Sequence, residues 1–378
     1  MIMRHIKLKR KYRYSSITLL LLSISLAPSA QTAPPLPIWR SNMEGPPAGD
    51  WLVQHVKATA TIYKSEDGKD LVLSNGLVKR TFRLQPNLAC TDYKNLISGQ
   101  ELVRAVKPEA RLVINGIAYN VGGLYGQKEN AYLVPGWLEM LHSGENDFNF
   151  KSFSVTRIPS FLHWKPIGQA MVNGSQPEGK MISLSFQSAL PLLAGLTVKV
   201  NYELYDEIPL IVKWLSIENT GSKTYRINRV VNEILALVEE ESAVVGKPEE
   251  MKKQHGIYLE TNYAFNNAMR YDISDQTTHW ETDSAYTSQV NYNFQTPCLV
   301  EVYPSKAPGI DLGPAENFRS VRTYELLMDT YDRERRGLAI RKMYRKVAPW
   351  TNENPIFMHL VSKNDEEVKN AIDQCAVT

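Results

Sequence analysis

Leu196-Thr197-Val198-Lys199-Val200-Asn201-Tyr202-Glu203-Leu204 alternates apolar and polar side chains without a break. A period of two is the mark of a strand with one covered and one wetter face. Asp206-Glu207-Ile208-Pro209 then turns the chain, and residues 210–217 are apolar on both sides except at Lys213 and Ser216. That is the pattern of a central strand covered on both faces. Asn219-Thr220-Gly221-Ser222 turns again, and 225–237 resumes the β texture.

The same texture extends in both directions. Asn75-Gly76 between 71–74 and 77–82, and Asn115-Gly116 between 111–114 and 117–121, each predict a hairpin, since Asn-Gly supplies the backbone conformations of tight turns. Further strands are expected at 258–263, 297–303 and 318–328. Strands at this density with few helical stretches predict a mainly β chain built as a large antiparallel sandwich, over 51–330.

Past Thr330 the pattern changes. Residues 332–347 read as a helix, with Asp332 and Glu334 at its start and bases toward its end, and Pro349-Trp350 stops it. The run 356–361 is apolar throughout and predicts a buried parallel strand, and Asn364 or Asp365 caps a following helix. Residues 331–352 are thus a connector, and 353–378 a single strand-helix unit of the kind that opens a (β/α)₈ barrel. A barrel begun but not completed is the expectation.

The first thirty residues stand apart. Arg4, Lys7, Lys9, Arg10, Lys11 and Arg13 precede an apolar run at 17–26 and the small-residue stretch Ala27-Pro28-Ser29-Ala30. This order predicts a secretory signal peptide, too short in its apolar part to span a bilayer. Export to the periplasm or the exterior follows, with no membrane attachment after cleavage. A Pro- and Ala-rich leader occupies 31–50. The formal charge of +3 includes those six bases, so the mature chain carries −3, and nucleic acid is not an expected partner.

Three cysteines remain, Cys90, Cys298 and Cys375. Cys90–Cys298 could bridge, but three buried thiols are the simpler expectation in a chain able to stabilise itself by burial. The sequence has no CxxC, HxH or HExxH, so no metal or other cofactor is expected.

Candidate sugar-handling residues come from residue type. His279-Trp280-Glu281 puts imidazole, ring and carboxylate side by side, and Trp137 and Trp164 are candidate platforms for a sugar face. Further candidate imidazoles are His142, His163 and His255. Glu239-Glu240-Glu241, Asp272 with Asp275, and Glu281 with Asp283 are the acidic groupings. Solvated loops and strand edges account for most of these, because charged residues are mostly exposed.

Several segments resemble exported bacterial α-galactosidase-like glycoside hydrolases related to family 36. The junction carries most of the likeness: Phe318-Arg319-Ser320-Val321-Arg322-Thr323-Tyr324-Glu325-Leu326-Leu327, Asp332-Arg333-Glu334-Arg335-Arg336-Gly337-Leu338-Ala339, and Tyr344-Arg345-Lys346-Val347-Ala348-Pro349-Trp350. Glu353-Asn354-Pro355-Ile356 and Ala371-Ile372-Asp373-Gln374-Cys375-Ala376 are similar to the start of that family's barrel. Asp92-Tyr93-Lys94-Asn95-Leu96 and Tyr119-Asn120-Val121-Gly122-Gly123-Leu124 are similar to its sandwich. The resemblance implies a galactose mutarotase-like β-supersandwich followed by a (β/α)₈ barrel, with two catalytic Asp residues on later barrel strands. No position here corresponds to those residues, so no catalytic residue is assigned and the chain is expected not to cleave glycosides. The implied partner is a galactoside-containing oligosaccharide or polysaccharide, with an oligomer as a further expectation. A stand-alone carbohydrate-binding or scaffold module, and a mutarotase-like enzyme, are the alternatives.

Overall fold

The computed structural model describes residues 35–128, 132–162, 177–240, 253–263, 277–285, 298–349, 358–362 and 364–377. In chain order the strands are β1 (Thr61–Lys64), β2 (Asp70–Ser74), β3 (Val78–Arg83), β4 (Ala89–Asn95), β5 (Val103–Ala105), β6 (Ala110–Ile114) and β7 (Ile117–Val121). Then come β8 (Phe148–Arg157), β9 (Gly179–Ser188), β10 (Leu196–Tyr205), β11 (Leu210–Asn219), β12 (Tyr225–Val231) and β13 (Glu233–Leu237). The last are β14 (Ile257–Thr261), β15 (Thr278–Thr282), β16 (Cys298–Val302), β17 (Pro308–Leu312), β18 (Asn317–Arg319) and β19 (Thr323–Leu327). Two helices follow, α1 (Arg333–Val347) and α2 (Asp365–Ala376).

The strands form three sheets. A large one runs β14-β19-β11-β10-β9-β8-β7-β6-β12-β17, with β18 also on β11. Two four-stranded sheets, β1-β2-β3-β4 and β15-β16-β13-β5, complete the set. Pairing is antiparallel except for β7 with β8. The mainly β expectation is met.

β10 and β11 pair from Leu196↔Asn219 to Leu204↔Ile211, so the alternation sends Val198, Val200 and Tyr202 to the same core as Leu215 and Ile217. The stretch 225–237, read as one β segment, is two strands in two sheets. β12 belongs to the large sheet and β13 to a small one, with buried Asn232 at the break. Asn232 Nδ2 donates to Lys213 O at 3.0 Å, and its Oδ1 accepts from Ser320 Oγ at 2.7 Å. The side chain thereby ties the break to the neighbouring segments. The stretch 318–328 is likewise divided, between β18 and β19.

The helix expected at 332–347 is α1, starting one residue later than Asp332, which caps it by accepting from Arg335 N at 2.7 Å. Ala339 and Met343, four residues apart on one face, pack with Trp51, Tyr205, Leu210, Val212, Leu326 and Met328 in a second core. Burying Met343 alone contributes roughly 1.5–3 kcal/mol. α2 is present as expected, with Asn364 as its cap. Of the strand expected at 356–361, residues 356 and 357 lie outside the described residues. Residues 358–361 are exposed and make no strand pairing, because no strand among the described residues offers them hydrogen bonds or cover.

Cys90 and Cys298 are buried, unpaired thiols, whereas Cys375 is exposed on α2. Burial pushes the first two up to about 12, so they are inert. The expectation of three buried thiols is corrected at Cys375: α2 buries none of its residues. No helix among the described residues is long and apolar enough to cross a membrane.

Candidate functional site

The tripeptide His279-Trp280-Glu281 lies on β15, at the edge of its sheet. Alternation along a strand separates what the sequence places side by side. Trp280 packs against the main core, while Glu281 is exposed. His279 stacks on Tyr303 at 4.0 Å between ring centroids, and its Nε2 meets Tyr303 O at 3.1 Å. Trp137 sits in a short 3₁₀ turn with Lys128 Nζ 4.7 Å above its ring. Trp164 and His163 lie outside the described residues, as do Glu241, Asp272 and Asp275. Asp283 is buried and paired with Lys107 at 2.8 Å.

Two carboxylate groupings assembled by the structure, and not by the sequence, stand in contrast. The first is inside the sandwich. Arg80 of β3 reaches both Glu233 of β13, at 3.0 Å, and Glu325 of β19, at 2.9 Å. Lys213 of β11 bonds Glu233 at 2.8 Å and the backbone oxygen of Glu109. Tyr202 donates to the Glu109 carboxylate. Arg80, Lys213, Glu109, Glu233 and Glu325 are all at most 1% exposed. The two facing acids are driven apart. Burial raises Glu233, but Arg80 and Lys213 overcome it and hold the group down at about 2. Burial, and then the charge on Glu233, push Glu325 well above the usual carboxylate range. Split acids of this kind serve general acid–base chemistry when a substrate can reach them. Here none can, so the grouping is a structural knot joining three sheets.

The second grouping is at the surface. Glu240 accepts from His255 N at 2.7 Å and meets His255 Nδ1 at 2.6 Å, so one carboxylate fixes both the backbone and the ring. His255 and Glu240 were both noted in the sequence, fifteen residues apart, with nothing to join them. Their neighbour Glu239 goes elsewhere, to Arg104 at 2.7 Å. His255 lines a cleft of about 270 Å³ with Ser98, Gln100, Asp329, Thr330 and Tyr331.

Each wall of the cleft is held. Buried Asn95 accepts at Oδ1 from Ile97 N and Ser98 N, and its Nδ2 donates to Met328 O at 3.0 Å. Gly256 N donates to Gln254 Oε1 at 2.8 Å and Met328 N to Gly256 O at 2.9 Å. Arg336 of α1 donates to His255 O at 2.6 Å and Thr330 O at 3.3 Å. Arg335 grips Asp50 at 2.7 and 2.9 Å and Asp329 at 2.7 and 3.0 Å, both bidentate. Trp51 Nε1 adds a bond to Asp329 at 2.9 Å. Hydrogen bonds from Arg335 hold Asp50 below the usual range. Burial raises Asp329, but Arg335 and Trp51 outweigh it and leave this carboxyl lowered too. Among the described residues, no group of His, Cys, Asp and Glu has the arrangement of a metal site.

No protein-family model matches the chain, and no curated protein matches it. Among solved structures, the chain is similar to a GH36 alpha-galactosidase from Geobacillus stearothermophilus, with 12% identity and a TM-score of 0.38. The match covers 71% of this chain and 41% of that one. The alpha-galactosidase from Lactobacillus brevis matches at 10% identity and a TM-score of 0.39, over 76% of this chain and 42% of that one. A galactose mutarotase related enzyme from Lactobacillus acidophilus matches at 11% and 0.32, over 70% of this chain and 99% of that one. The chain thus spans less than half the length of these alpha-galactosidases.

Proposed function

We propose that this polypeptide is the non-catalytic sandwich portion of an exported α-galactosidase-like glycoside hydrolase, whose bond-cleaving residues lie outside it. The observation that carries this reading is the junction clamp. The segments whose sequence resembles the junction of such hydrolases form β19 and α1, and Arg335 locks that helix to Asp50 and Asp329. A helix held by two bidentate ion pairs and a buried Ala339–Met343 face can fix the angle at which a neighbouring domain is carried. The sealing of Glu233 and Glu325 supports the same reading, since that pair, with its split affinities for protons, is out of a substrate's reach. The proposed partner is a galactoside-containing oligosaccharide or polysaccharide.

Hydrolysis of a chromogenic α-galactoside by the purified chain tests it. The expected outcome is no release above the buffer rate. Turnover of about 1–10³ s⁻¹, the ordinary range of enzymes, would overturn it. A sugar-binding role for the chain in its own right is favoured by one feature, the His255 cleft.

A further inference from the structure

The cleft beside His255 has three properties that together select a ligand. Its carboxylates are already hydrogen-bonded. Glu240 is satisfied by His255, and Asp329 by Arg335 and Trp51. An anion entering would meet two carboxylates nearby, and a cation would meet Arg335 and Arg336, so neither gains from the local field. The lining nevertheless offers donors and acceptors of both kinds. Ser98 and Thr330 bring hydroxyls, Gln100 an amide, and His255 its ring. A carboxylate accepts at Nδ1, so Nδ1 carries the proton of the neutral ring and Nε2 is the acceptor available to a ligand.

The third property is a ring at the rim. Tyr331 is 70% exposed and lies 5.7 Å from the His255 ring, inclined at 52°. An aromatic face above a set of hydroxyl and amide groups suits a molecule with an apolar face and a hydroxylated edge. The volume, about 270 Å³, falls just short of the roughly 300–1,000 Å³ of pockets that hold drug-sized ligands. It has room for one small ring rather than a chain of them.

We infer that this cleft binds a single neutral, hydroxyl-rich ring, the size of one monosaccharide unit, with Tyr331 against its face and His255 Nε2 on a hydroxyl. The inference rests on the carbohydrate reading only for the choice of sugars, because the site lies wholly within the sandwich and the start of α1. Its walls are fixed by Asn95, Gln254 and Arg336 before any ligand arrives, which lowers the ordering cost of binding. Gly256 contributes by its lack of a side chain. A Cβ there would stand 2.5 Å from Gln100 Oε1 and displace that amide.

Titration calorimetry on the full chain tests the proposal, with methyl α-D-galactopyranoside, methyl α-D-glucopyranoside and inorganic phosphate as separate probes. Saturable binding of at least one glycoside is expected, with none of phosphate. Affinity should fall about tenfold in Tyr331→Ala, as loss of one aromatic contact implies, and also in His255→Ala. Both side chains are exposed, so circular dichroism of the variants should match the parent. Absence of saturable binding to either glycoside would overturn the inference, as would binding that both substitutions leave unchanged. Binding of phosphate in place of the glycosides would overturn it in favour of an anion site. Turnover of α-galactosides with binding lost in Tyr331→Ala would break the hydrolase-portion reading and leave this one standing. No turnover and no binding would do the reverse.

Discussion

Glu233 with Glu325 and Glu240 with His255 are two pairings of a carboxylate with an ionisable neighbour, and they differ in one respect that decides what each can do. The first is sealed inside the sandwich, at most 1% exposed. There a charge must be matched by Arg80 and Lys213 or be neutralised by a proton, and both devices are used. The second opens onto a cleft, where water screens the pair and a ligand can replace that water. Burial turns the same chemistry into architecture, and exposure leaves it free for recognition. Between the two lies the Arg335 clamp, half-buried, which ties the cleft to the connector helix.

The contrast can be broken most severely at Arg80. Arg80→Met leaves Glu233 and Glu325 buried without their shared cation, with Lys213 as the remaining one, and should cost about 3–5 kcal/mol in urea unfolding, the usual penalty for breaking a buried ion pair. A loss below ~1 kcal/mol would mean that water reaches the knot. Arg335→Ala should cost less, about 1–2 kcal/mol, because its charge-assisted bonds are partly screened by solvent. The sharper readout there is hydrogen exchange. Amides of α1 should lose protection while those of β10 and β11 keep theirs.

The knot also predicts a pH dependence with a definite sign. An unfolded Glu ionises near pH 4.3, whereas Glu325 in the fold keeps its proton well above that. Unfolding between those values releases a proton, so this group's contribution is complete below about pH 4.3 and is lost as pH rises toward its folded value. Glu325→Gln removes that loss, and the variant should gain stability relative to the parent as pH is raised from 4 to 8. A constant difference across that range would show that Glu325 is ionised in the fold. Glu233 acts oppositely. Its contribution is present above the unfolded value and disappears as pH falls toward about 2. The least effect on stability belongs to the open site: His255→Ala and Tyr331→Ala should each shift unfolding by no more than about 0.5 kcal/mol, as surface changes do.

How much of this was legible beforehand can be judged from the two Asn-Gly turns. Asn115-Gly116 closes β6 and β7 as a two-residue hairpin, Ile114 opposite Ile117, with both residues at positive φ. The sequence rule held there because the contacts from β12, Arg226 N to Asn115 Oδ1 and Gly116 N to Asn228 Oδ1, both at 2.9 Å, leave the two-residue turn intact. Asn75-Gly76 also joins two strands, but Ser74 pairs with Lys79 and four residues lie between them. Asn75 is buried, and its Nδ2 donates to Tyr205 O at 2.7 Å and Ile208 O at 2.8 Å. A distant loop recruited the side chain and widened the turn. His279-Trp280-Glu281 shows the same limit at a candidate site, because adjacency in sequence becomes opposition across a strand.

By itself the sequence determined the mainly β class, the strands β10 and β11 with the turn between them, the helix α1, and the helix α2 with its cap. Those features follow from periodicity and from side chains acting on their own neighbours. Only the tertiary structure decided which charges are sealed and which are exposed. Arg80 meets Glu325 across 245 positions and Arg335 meets Asp50 across 285. No local pattern encodes such encounters, because each partner's role is set by how much water the fold leaves around it.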